Sequence, residues 1–189
     1  ALLFGIYNVG YQHFNAMGTL ADTGFFELFF YGLWRVLPMI VVSYVVGLGI
    51  EFAAAQIRGH EINEGFLVSG LLIPMIMPIN APLWMVGVST AFAVIIGKEI
   101  FGGTGMNIWN PALLARAFFF FSYPSMISGD KVWIAGMPDG FSQATPLAEA
   151  AQGLPTTYDM SSMFWGLIPG SVGETSTFCI LLGAILLIA

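Results

Sequence analysis

The sequence predicts an all-α polytopic membrane protein, a helical bundle with broken helices, and three observations carry that expectation. Hydrophobic residues make up 57% of the chain and charged residues 8%, against roughly a quarter charged in a soluble domain. Mean hydropathy is +0.83. The apolar residues fall into runs separated by short polar breaks, and several runs approach the roughly 20 residues that a hydrocarbon core demands.

Taken in order, the first run, Ala1-Leu2-Leu3-Phe4-Gly5-Ile6, has no positively charged flank and so does not read as a signal peptide. It reads as the tail of a helix. Residues 34–56 form a clear span. Residues 66–79 are short and carry Pro74 and Pro78, which predicts a broken or tilted helix, tolerated only where neighbours or water satisfy the freed backbone groups. Residues 83–100 form a second clear span, 111–123 a third, and another begins at Thr175 and runs through Cys179-Ile180-Leu181-Leu182 as a helix cut short. The expectation is one transmembrane domain over 1–189, a piece of a longer subunit with roughly five or six spans, interrupted by a polar loop at 128–173.

Charge orients the spans. Arg58 and Lys98 are separated by two crossings and share a face, which the positive-inside rule places in the cytoplasm; Arg35 points weakly the other way. One further crossing puts the 128–173 loop, with Asp130, Asp139, Glu149 and Asp159 against Lys131 alone, on the extracytoplasmic side. Five basic residues without a cluster cannot neutralise a run of phosphates, so nucleic acid is not a partner. The single cysteine, Cys179, excludes an internal disulfide and a thiolate quartet for an iron–sulfur cluster. His13 and His60 lie off the spans, which argues against a bis-histidine haem.

Two polar constellations stand out. Asp139-Gly140-Phe141-Ser142-Gln143-Ala144-Thr145 places hydroxyls beside a conformationally free glycine in the long polar loop, either a plain turn or an acceptor segment open to a modifying enzyme. Phe101-Gly102-Gly103-Thr104-Gly105-Met106-Asn107-Ile108-Trp109-Asn110-Pro111 sets Asn107 and Asn110 three apart, on one face if that segment is helical. Such a face suits the alternating donors and acceptors of an isoalloxazine's pyrimidine edge. Equally, the glycines make a turn and Asn110 caps a helix that starts at Pro111. No strand precedes the glycines, so this is not a dinucleotide fingerprint.

The pattern D-G-x-S-x-A-T, the string G-G-T-G-x-N-x-x-N-P-A-L-x-x-R-A-F, the earlier E-I-N-E-G-F and the later I-P-G-S-x-G-E-x-S-T occur here in the order in which they stand in one family. Essentially the whole chain resembles the B subunit of the sodium-translocating NADH:quinone oxidoreductase, and less closely the D subunit of the Rnf complex. The resemblance implies a membrane electron-transfer subunit built of two inverted five-helix repeats, in a complex whose hydride step falls on another subunit. It implies FMN joined through a phosphoester to Thr145, within the motif that includes Asp139 and Ser142, and a riboflavin held without a covalent bond by Asn107, Asn110 and Ser69, the last standing where threonine is usual. It further implies a quinone region at Gly47, with Leu48 where a second glycine is frequent, and sodium as the cargo.

An ionisable group inside a span is a functional suspect by default. Glu51 lies within 34–56, Lys98-Glu99 closes 83–100 and Glu174 opens the last span. The resemblance places Glu51 on the sodium path, with an interfacial location as the equal alternative, and Lys98 and Glu99 read more simply as interfacial charges. Two rivals use the same elements: a small-solute channel of the urea-channel kind, whose discontinuous helices surround a midplane site, and a non-catalytic assembly subunit.

Overall fold

The computed structural model describes residues 1–59, 65–103, 105–127, 133–136 and 144–188. Every regular element among them is helical: α1 (Leu2–Ala16), α2 (Phe25–Arg58), α3 (Phe66–Ile76), α4 (Leu83–Gly97), α5 (Pro111–Ser122), α6 (Pro124–Ile127), α7 (Pro146–Ala151), α8 (Met160–Trp165) and α9 (Thr177–Ile188). Two compact units result, one from Ala1–Val36, Pro78–Asn80 and Ser128–Ala189, the other from Leu37–Met77 and Ala81–Ile127.

In the second unit, Phe25–Arg58, which enters it at Leu37, and Leu83–Phe101 are each long and apolar enough to cross a bilayer. The 34 residues of α2 measure about 51 Å at 1.5 Å per residue, and the helix starts well before the expected 34–56 because Phe25 to Tyr31 continue its apolar run. Side chains such as Val45 stay 67% exposed, as a lipid-facing surface requires. The 11 residues of α3 and the 12 of α5 reach only about 16–18 Å, little more than half a hydrocarbon core of roughly 30 Å.

The expected break in α3 is not a break at Pro74. The helix runs through that proline and stops at Ile76, because Met77 precedes Pro78 and takes an extended conformation, φ −85° and ψ 153°. A proline inside a helix removes the N–H that the carbonyl four residues earlier would accept. For Pro74 that carbonyl belongs to Gly70, and the buried Ser43 hydroxyl on α2 donates to it at 2.8 Å. Tyr44 Oη donates to the Leu67 carbonyl at 2.6 Å on the same seam. At the far end of α3, an Arg116 guanidinium N–H from α5 donates to the Ile76 carbonyl, so the half-length helix ends on a cation. α5 packs on both α3 and α4, with Phe118 stacked on Phe92 at 4.3 Å.

In the first unit, α1 meets the start of α2 backbone to backbone. A Cβ at Gly10 would strike the Leu28 carbonyl, and one at Gly32 the Ile6 carbonyl; small residues permit this approach between helices. The segment between α8 and α9 closes on α1, since Asn8 Nδ2 donates to the Ile168 carbonyl at 3.0 Å. His13 Nδ1 donates to the Ala135 carbonyl across 2.7 Å, and its ring stacks on Tyr31 at 4.1 Å. The long polar stretch is therefore not all loop: α7 and α8 interrupt it.

Candidate functional site

Thr145 is the N-cap of α7. Its backbone is extended, φ −71° and ψ 155°, and its Oγ1 accepts from the Ala148 N–H at 3.2 Å. Pro146 follows at the first helical position, where a missing N–H costs nothing. A capping hydroxyl spends a lone pair and keeps its own O–H, and this one is half-buried, so an ester could form there while the cap persists. The surroundings are fixed by residues that carry no signal in the sequence alone. Glu149 is buried, accepts from the Thr157 N–H at 2.9 Å and also takes the Thr157 hydroxyl. Tyr158 Oη donates to the Ala144 carbonyl at 3.4 Å. Beyond it, Asp159 caps α8 on the Ser162 N–H at 3.0 Å, and hydrogen bonds from the Ser162 side chain and backbone hold its carboxyl below the usual range. Asp139 and Ser142 lie outside the described residues.

The asparagine pair takes a different shape from the one-face helical arrangement. Residues 106–110 are not helical. Asn110 caps α5, its Oδ1 accepting from Ala112 N–H at 2.9 Å and Leu113 N–H at 3.3 Å, in line with the capping alternative. Asn107 Nδ2 donates to the Trp109 carbonyl at 3.0 Å. The cap thus consumes Asn110's acceptor and leaves its amide as the donor, while Asn107 keeps its carbonyl as an acceptor. Ser69 is half-buried on α3.

Gly47 and Glu51 come together with residues from other helices. A Cβ at Gly47 would fall inside the Phe66 ring, so the glycine is what lets Phe66 of α3 sit against α2. Glu51 is 5% exposed and forms an ion pair with Lys98, itself 4% exposed, at the end of α4. The Lys98 ammonium also lies 5.7 Å from the Phe66 ring centroid. Next to it, Arg58 and Glu99 pair at 3.4 Å. Two ion pairs join the C-terminal ends of α2 and α4, which therefore run parallel, as expected for Arg58 and Lys98 on one face. Glu51 stands seven residues inside the end of α2 rather than at its margin, and Lys98 is buried where an interfacial charge was the simpler expectation. Alternating charge at both helix ends was the available sequence signal.

The match to the NQR2, RnfD, RnfE family runs over residues 1–189. The chain belongs to that family. Among its relatives, proteins named as the B subunit of the Na(+)-translocating NADH-quinone reductase are 44% identical in Chromohalobacter salexigens, 41% in Pseudoalteromonas atlantica and 39% in Yersinia pestis. Each similarity takes in the whole of this chain but only 51%, 53% and 54% of the respective relative. The chain spans about half the length of the curated relatives it matches. Family membership of this extent fits the apolar helices and the motif order together.

Proposed function

We propose that this chain is the flavin-bearing membrane portion of an electron-transfer subunit in a sodium-translocating NADH:quinone oxidoreductase. The observation that carries the reading is the similarity to proteins of that name along the whole chain, in a molecule whose Thr145 hydroxyl stays half-buried at a helix start. Thr145 would hold FMN by a phosphoester, with Asp139 and Ser142 in the acceptor segment; Asn107, Asn110 and Ser69 would hold riboflavin. When bound, those flavins supply the electron-carrying chemistry. The chain's own groups orient them: the Asn110 amide donates, the Asn107 carbonyl accepts, and Glu149 with Tyr158 keeps the Thr145 turn in shape. Quinone is the electron acceptor, with Gly47 in its region, and sodium the cargo, with Glu51 as a ligand on its path.

In this reading the short helices α3 and α5 belong to one inverted repeat of a five-helix unit, and the subunit sits in the bacterial inner membrane among the other subunits of its complex. The Thr145 segment faces the periplasm, where a transferase reaches it. Thr145→Ala in the full-length subunit should abolish the in-gel fluorescence of the denatured band while the subunit still enters the membrane. A mutant band that fluoresces as brightly as wild type overturns the attachment.

A further inference from the structure

The Glu51–Lys98 pair raises a question of access. Both side chains are 5% exposed, and the carboxylate's Oε1 takes the Lys98 ammonium. A sodium ion brought to the same buried carboxylate would stand beside the ammonium, and like charges repel strongly where water does not screen them. Resting on the reading of Glu51 as a sodium ligand, we infer that Lys98 is a tethered competitor cation: its ammonium fills the Glu51 site when sodium is absent and must be displaced for sodium to bind.

Three features of the site bear on displacement. Lysine carries a compact charge on a flexible four-carbon stem, and unlike arginine it makes no rigid two-pronged contact with a carboxylate. Lys98 also sits where α4 ends, at φ −128° and ψ −60°, off the helical backbone, so its stem is not confined to a helical rotamer. Finally, the Phe66 ring face is 5.7 Å from the ammonium, within the range of a cation–π contact. The ring contact exists while the ammonium fills the Glu51 site, so it adds to what an incoming sodium ion must displace. Gly47 keeps that ring in position. The charged groups around Glu51 are Lys98 and, one residue on, Glu99, which is already engaged by Arg58.

A plain structural pair would behave otherwise. Removing Lys98 would then weaken the fold and leave sodium affinity unchanged or lower, whereas removing a competitor raises it. The measurement is half-saturating sodium in the assembled, purified complex, read from thermal-unfolding midpoints and from quinone reduction, with choline chloride holding ionic strength constant. Lys98→Met should lower half-saturating sodium about tenfold, equivalent to about 1.4 kcal/mol, and Lys98→Arg should leave it at or above the wild-type value. Phe66→Leu removes a contact that the ammonium makes while it fills the Glu51 site and should lower it.

Glu51→Gln separates the two layers of the argument. If it raises half-saturating sodium while Lys98→Met leaves it unchanged or raised, the competitor role is overturned and the ligand reading stands. If Glu51→Gln leaves sodium dependence at wild type, both fall. Should Lys98→Met fail to assemble, Phe66→Leu decides: a fall supports the competitor and an unchanged or raised value overturns it.

Discussion

At the scale of single residues, the division of labour within Asn107 and Asn110 carries the most specific expectation. Each carboxamide spends one side on its own backbone, Asn110 on the α5 cap and Asn107 on Trp109, and keeps the other. Replacing both by leucine should remove the polar edge that the proposed riboflavin would meet, leaving ring groups unpaired at about 1–3 kcal/mol each. Acid extraction of the purified complex should then release less riboflavin while covalent FMN is unchanged; normal riboflavin content would leave both residues with turn and cap alone. The identity of these residues was legible in the sequence, and so was the Asn110 cap. Their one-face geometry was not. It assumed a helix through 107–110, whereas Gly102, Gly103 and Gly105 all take positive φ, a backbone that ends helices rather than continuing them. Lys98 escapes the sequence for a related reason: a cation at a span end reads as interfacial until the partner carboxylate, 47 positions away, is brought beside it.

Among the elements, α3 shows how a proline-containing helix is kept in an apolar setting. Ser43 answers for the carbonyl that Pro74 leaves without a donor. Ser43→Ala should therefore lower the unfolding free energy by about 1 kcal/mol, read as a lower thermal midpoint in detergent. Ser89 supplies the contrast: its Oγ on α4 is buried without a partner among the described residues, so Ser89→Ala should leave the midpoint where it is. Equal losses from the two would show that the α2–α3 hydrogen bond contributes nothing particular. Apolar runs and prolines mark α2, α3, α4, α5 and α9 in the sequence, which is why their centres were legible there. α7 and α8 were not, since six residues apiece are too short for any periodicity. Their start signals, Thr145-Pro146 and Asp159, are present, but without a periodic run behind them such residues look like loop chemistry.

For the whole molecule, the sidedness of the chain is the testable property. The proposed orientation puts the α7–α8 region outside and the Arg58 end of α2 inside. In a Cys179→Ser background, Ser161→Cys should react with a membrane-impermeant maleimide on intact cells, and Gln56→Cys should react only after lysis; both positions are exposed, so access and not burial decides. Labelling of Gln56→Cys from outside would invert the topology and remove the rationale for an external transferase acting at Thr145.

The glycine contacts between α1 and α2 bear on how such a chain comes to be folded. Inside lipid, two inserted helices gain little from hiding apolar surface, since the surrounding acyl chains are as apolar as they are. What remains is close dispersion contact, and Gly10 against Leu28 with Gly32 against Ile6 supplies it without any charge or hydrogen bond. Joined by only a short connection, these two segments can associate as soon as α2 has been inserted with α1 beside it, before the ribosome has delivered α9. The order of assembly then follows the order of synthesis, and a bulky residue at Gly10 or Gly32 would be felt first as a defect of biogenesis, in subunits that are made and inserted yet never mature.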